Sequence, residues 1–170
     1  RVVLAPGARR QELARLLPPL LQAARLLGAR HPELVFQAAA VDAAHGARLA
    51  AAAAAAGVAL EVCPVPLGEI LPGAALYLGK SGTASLEAAL AGVPSVLLYK
   101  ISRTSYFLFS KVLGLGRRLA AVGLPNLLLG RRVVPELLQR RATGRALFRE
   151  ACPLLEDAAM RQLQREAFRG

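Results

Sequence analysis

The chain of 170 residues has no tryptophan, one methionine, two cysteines, two histidines and only three lysines. Cys63 and Cys152 cannot staple a scaffold and lack C-x-x-C spacing, which fits a reducing compartment; His31 and His45 are too few for a histidine metal site. All four read as structural or incidental. Mean hydropathy is +0.41, yet no run of about 18 uncharged apolar residues is present, which excludes a spanning helix. Apolar stretches are cut every few residues by Arg, Glu, Gly or Pro, and alanines such as those at 50–56 carry much of the hydropathy. That leaves a soluble chain or one resting on a membrane surface. Walker A, G-x-G-x-x-G and G-x-S-x-G patterns are missing, and no Asp-x-Asp indicates a metal-bridged ligand. Neither methionine nor a signal-like apolar segment opens the sequence, which starts at Arg1-Val2-Val3-Leu4 inside an expected strand. We therefore expect the C-terminal half of a longer protein.

What is present favours one domain of 1–170 with a substantial core: 55% of positions are hydrophobic, which excludes disorder. Apolar runs of four to six residues alternate with helical patterns, the signature of βα units on a parallel sheet. Strands are expected at 2–5, 34–38, 58–62, 74–78 and 96–99, with a sixth at 119–122. Helices are expected at 11–27, 42–56, 83–91 and 104–113, and residues 133–168 read as mostly helical, broken near Thr143 and Pro153; the last helices occupy about 143–170. Basic residues outnumber acidic ones 22 to 11. Residues 1–99 hold 8 basic and 6 acidic side chains, whereas 100–170 hold 14 and 5. The second half thus faces an anionic partner or is an Arg-rich solvated surface.

Open α/β sheets bind ligands beyond the carboxyl ends of their strands, where three loops carry unusual chemistry. In Ala5-Pro6-Gly7-Ala8-Arg9-Arg10, Gly7 lets backbone approach a ligand, while helix amides and Arg9 can seat a phosphate. An ordinary turn with solvated arginines explains the same residues. In Gly79-Lys80-Ser81-Gly82-Thr83-Ala84-Ser85-Leu86-Glu87, small residues before a helix suit an anion, and Glu87, one turn past Thr83, suits two ribose hydroxyls. A capped helix start with a surface glutamate is the plainer alternative. In Val122-Gly123-Leu124-Pro125-Asn126-Leu127-Leu128-Leu129-Gly130, Asn126 sits where an apolar residue is expected, so it satisfies a local turn or meets a ligand.

In this order and spacing the loops resemble the lipid-A-disaccharide synthase family. The likeness is carried by Pro-Gly-Ala-Arg-x-x-Glu at 6–12, Ser-Gly-Thr-Ala-x-Leu-Glu at 81–87, Gly-Val-Pro-x-Val at 92–96 and Leu-Pro-Asn-Leu-Leu-x-Gly-Arg at 124–131. Ala8 replaces the more usual Ser, and Lys80 stands where a small residue is more usual. The resemblance implies a Rossmann-like three-layer α/β domain with a parallel sheet, the nucleotide-binding half of a GT-B glycosyltransferase. It implies donor or UDP contacts at Gly7, Arg9, Ser81, Gly82, Thr83, Glu87 and Asn126. It further implies a UDP-linked N-acylglucosamine donor, a lipid-linked sugar acceptor, no cofactor or metal, and a cytoplasmic enzyme at the inner membrane face. The reaction would invert the anomeric carbon and expel UDP, with the general base supplied by the other half. The isolated chain is expected to be inactive.

Residues 104–113 gather three aromatics beside Arg103, Lys111, Arg117 and Arg118. Tyr106, Phe107, Phe109 and Lys111 suit an anionic bilayer or acyl chain; burial against the other half or a homodimer mate is the alternative. Two rivals stand beside the transferase. A UDP-sugar 2-epimerase shares GT-B architecture but asks for acid–base groups beyond Glu87 and Glu69, including a suitable histidine. A nucleic-acid-binding module fits the charge of +11, but no motif of such modules is present; nucleic acid is not expected as a partner.

Overall fold

The computed structural model describes residues 1–100 and 123–169. Six strands are present among them: β1 (Val2–Ala5), β2 (Phe36–Ala39), β3 (Leu60–Cys63), β4 (Leu76–Lys80), β5 (Ser95–Tyr99) and β6 (Glu136–Leu138). They form one parallel sheet in the order β3-β2-β1-β4-β5-β6. The helices are α1 (Arg10–Arg30), α2 (Ala43–Ala55), α3 (Leu67–Ile70), α4 (Thr83–Leu90), α5 (Leu124–Leu128), α6 (Gly144–Glu156) and α7 (Ala158–Arg169).

Side-chain alternation along the strands assigns the two faces. Val2 and Leu4, Leu76 and Leu78, and Val96 and Leu98 pack with α1, α2 and α6. Val3, Tyr77 and Leu97 point the other way, where Ile70, Ala88 and Phe168 from α3, α4 and α7 cover them. Both faces are therefore buried, which gives the expected three layers. Burying Val96, Leu97 and Leu98 of β5 on both sides of the sheet explains why this stretch reads as continuous rather than alternating.

Several boundaries differ from the sequence expectation. β2 and β3 start two residues late because the preceding residues close helix ends: Leu34 N–H donates to His31 O, and Val58 N–H to Ala53 O. The connection after β3 contains the single turn α3. A strand, β6, lies within the stretch read as helical, paired to β5 through Leu97↔Glu136. Its buried glutamate hid the strand pattern. α6 continues through Pro153 and ends at Asp157 instead. Pro153 is on the exposed face, and Asp157 Oδ1 accepts from Ala159 N–H at 2.8 Å to start α7. The expected helix at 104–113 and strand at 119–122 lie outside the described residues.

The order places β1 and β4 side by side at the centre, although 70 residues separate their ends, with crossovers leaving in opposite directions. Ala5 is in register with Gly79. The β1–α1 and β4–α4 turns therefore emerge together at the switch point of the sheet, where a crevice is forced to open.

Candidate functional site

The first turn depends on Gly7, whose φ of +92° suits glycine. A Cβ there would also collide with the Glu12 carboxylate. After it, α1 begins at Arg10, with Glu12 Oε2 reaching back to Arg9 N–H at 3.5 Å. The same residue's Oε1 accepts from Lys80 Nζ at 2.6 Å, joining the first turn to the end of β4. The Arg9 side chain is 86% exposed and reaches the cleft from its rim.

The second turn is shaped from below by Tyr77. Its ring fills the space a Cβ at Gly79 would need, and its hydroxyl donates to Lys80 O at 3.2 Å. Burial, assisted by the nearby Glu87 charge, pushes the Tyr77 phenol well above its ordinary range, so it remains a donor. Gly82 follows with φ +147°. Ser85 is fully buried, donates Oγ–H to Gly82 O at 2.6 Å and accepts Gly82 N–H at 3.2 Å, fixing the start of α4. The amides that open α4 have no acceptor one turn earlier within the helix. Thr83 and Glu87, four residues apart, stand exposed on one face of it.

Between these turns lies a cleft of about 660 Å³, and Gly7, Arg9, Ser81, Gly82, Thr83 and Glu87 all line it. Six residues separated by up to 80 positions are thus brought together. Asn126 is not among its walls. It is 1% exposed, its Nδ2 donates to Val134 O at 2.8 Å and Glu136 Oε1 at 2.6 Å, and its Oδ1 accepts from Val133 and Val134 N–H. Of the two sequence alternatives, the geometry satisfies the local one. Tyr106, Phe107, Phe109 and Lys111 lie outside the described residues.

Among the described residues, three titratable side chains of the cleft were not assigned a site role from the sequence: Glu12, Lys80 and His45. His45 is 3% exposed in the first turn of α2, where Asp42 Oδ1 accepts its N–H at 2.6 Å. Its Nδ1 accepts from Val41 N–H at 3.3 Å, so the ring proton sits on Nε2 and donates to Gly7 O at 3.3 Å. Of the two sequence readings, structural or incidental, the geometry gives the structural one: His45 braces the first turn against α2. Only the sheet topology, which brings β2 beside β1, reveals this neighbour. Among the described residues, no three His, Cys, Asp or Glu side chains converge on a metal-sized site, and no helix is long and apolar enough to cross a membrane.

A helix-start anion seat, a rim guanidinium and an exposed carboxylate one turn along α4 are suited to a diphosphate joined to a diol-bearing sugar. The sequence model of a family described as Lipid-A-disaccharide synthetase matches residues 1–169. A lipid-A-disaccharide synthase of Prochlorococcus marinus is 40% identical over 177 residues, covering 99% of this chain and 44% of that relative. The chain thus spans less than half the length of that relative. Two solved structures share the fold at low identity. One is a putative UDP-N-acetylglucosamine 2-epimerase from Listeria monocytogenes, at TM-score 0.63, 16% identity, and 98% and 39% coverage. The other is the C-terminal CMP-Kdo binding domain of WaaA from Acinetobacter baumannii, at TM-score 0.60, 14% identity, and 99% and 86% coverage.

Proposed function

The chain belongs to the lipid-A-disaccharide synthase family, and from that premise we propose that it is the UDP-sugar-binding half of an inverting glycosyltransferase. The donor is a UDP-linked N-acylglucosamine and the acceptor a lipid-linked sugar at an anionic membrane surface. One observation carries the reading: the β1–α1 and β4–α4 turns converge on one cleft at the switch point, lined by the glycine-led start of α4 and by the exposed Glu87 one turn along it. In this assignment Glu87 accepts from the ribose hydroxyls, and Gly82, Thr83 and the first α4 amides hold the diphosphate. Ser81 stands at its edge. Arg9, with Gly7 giving it clearance, neutralises the charge that grows on departing UDP. Asn126 serves through the loop it holds rather than by touching the donor.

The acceptor hydroxyl attacks the anomeric carbon as the bond to UDP breaks, and its proton passes to a general base. We assign that base to the length of the relatives that this chain does not span. An epimerase reading would call on His45, but both of its ring nitrogens are engaged by backbone. The test is product analysis by mass spectrometry on the protein extended to its relatives' length, supplied with donor, acceptor and anionic vesicles. Disaccharide plus UDP is expected; a donor epimerised at C2, without disaccharide, refutes the proposal.

A further inference from the structure

Beside the donor cleft lies a second one of about 670 Å³, and the Glu12–Lys80 pair forms part of the wall of both. Among the described residues, five cations line this second cleft, Arg9, Arg10, Arg15, Lys80 and Lys100, against the single carboxylate of Glu12. That carboxylate is already bonded to Lys80. Among the described residues no acidic side chain comes within ion-pair distance of Arg10, Arg15 or Lys100. Arg15 and Lys100 are half-buried, and buried Leu16 and half-buried Tyr99 complete the lining. Cations gathered over an apolar wall repel one another and focus a positive potential that a compact anion relieves. Guanidinium forks suit the oxygens of a phosphoryl group. Lys80 is the cation that joins the two clefts.

We infer that this second cleft is a phosphoryl-anion subsite, separate from the donor's, with Arg15 and Lys100 as its own ligands and Arg9 and Lys80 shared. It takes a phosphomonoester or phosphodiester brought by a lipid headgroup or by a free phosphate. The inference rests on the proposed donor reading only in placing the UDP diphosphate in the neighbouring cleft. A site beside the departing UDP would let an anionic second molecule dock while the donor is bound.

The test titrates orthophosphate by calorimetry into the protein saturated with UDP, and repeats it with Arg15→Ala/Lys100→Ala, Arg15→Lys and Glu87→Ala variants. Phosphate is expected to bind without displacing UDP. The double variant should weaken phosphate by about tenfold or more, as expected for lost charge-assisted hydrogen bonds, while UDP affinity stays within about twofold. Arg15→Lys should retain most phosphate binding, and Glu87→Ala should weaken UDP alone. Phosphate that displaces UDP stoichiometrically, or that binds the double variant as well as the parent, overturns the inference. Phosphatidylglycerol vesicles compared with phosphatidylcholine vesicles separate the sources. Variant-sensitive binding to the anionic vesicles assigns a lipid headgroup; variant-sensitive orthophosphate binding with no vesicle binding assigns a soluble phosphate. If UDP itself does not bind, the donor reading fails, and the phosphate titration without UDP still decides this one.

Discussion

Lys80 Nζ donates to Glu12 Oε1 at 2.6 Å across 68 positions of chain, clamping the start of α1 to the end of β4. The side chains are 32% and 19% exposed, so solvent screens the pair and its coupling is modest, about 1 kcal/mol. A double-mutant cycle with Glu12→Gln and Lys80→Met, followed by urea unfolding, should return that coupling. Additivity within about 0.3 kcal/mol would mean that the clamp contributes nothing.

Gly82 holds φ +147° and ψ −160°, a region open essentially to glycine alone. A Cβ there meets only Lys80 Cε at 4.0 Å, so the cost of Gly82→Ala is in the backbone and not in a collision. We expect a loss of about 1–3 kcal/mol in unfolding free energy. Gly92, at φ +66° with open space around it, provides the contrast. Gly92→Asn should cost well under about 1 kcal/mol, because asparagine tolerates the left-handed region. Equal costs at the two positions would show that strain is not the cause.

Asn126 satisfies two backbone amides and one backbone carbonyl besides the buried carboxylate of Glu136. Asn126→Ala leaves these groups without that partner, and the expected destabilisation is about 3–5 kcal/mol by urea unfolding. Asn126→Ala with unchanged stability but lost UDP binding would reverse our assignment and make the amide a donor contact.

The sheet, its parallel sense and the two glycine turns were legible because apolar runs and helix starts are local signals. So was Glu87, since a one-turn offset from Thr83 needs only the helical repeat. β6 was not legible, because a buried glutamate hydrogen-bonded by Asn126 and Gly123 breaks the apolar pattern. The end of α6 was misread because a proline on an exposed helix face costs less than the sequence rule assumes. His45 could be found only once β2 was known to lie beside β1, a non-local fact.

At the opposite edge of the sheet, Arg30 and His31 both reach Glu156, with His31 Nε2 at 3.0 Å from Oε1. The hydrogen bond from Arg30, followed by that from His31, holds the Glu156 carboxyl below its ordinary 4.5. A group depressed on folding contributes stability that is present above its unfolded value and lost as pH falls through the folded one. Stability should therefore decline below about pH 4.5, and Glu156→Gln should flatten that slope in acid-range urea titrations. An unchanged slope in the variant would place the acid sensitivity elsewhere.

The donor assignment gives Glu87 and Arg9 different ligand portions, and that difference can be measured. Glu87 is exposed one turn along α4 and Arg9 stands on the rim of the cleft; under that assignment the Glu87 carboxylate is matched with neutral ribose hydroxyls and the Arg9 guanidinium with the diphosphate. Glu87→Ala should weaken UDP while sparing inorganic diphosphate, and Arg9→Ala should weaken UDP while sparing uridine. Each lost charge-assisted hydrogen bond is worth about 1.5–3 kcal/mol, which is roughly a tenfold to hundredfold change in Kd. Salt separates the two further. Screening acts on the contact between Arg9 and the diphosphate and hardly at all on that between Glu87 and a neutral diol, so raising ionic strength should narrow the Arg9→Ala deficit and leave the Glu87→Ala deficit almost unchanged. Calorimetric titration of the protein and both variants with UDP, uridine and diphosphate at two salt concentrations gives the full pattern. Equal UDP affinity in all three proteins would remove the donor from this cleft, and a Glu87→Ala deficit for diphosphate as large as for UDP would remove the ribose from Glu87.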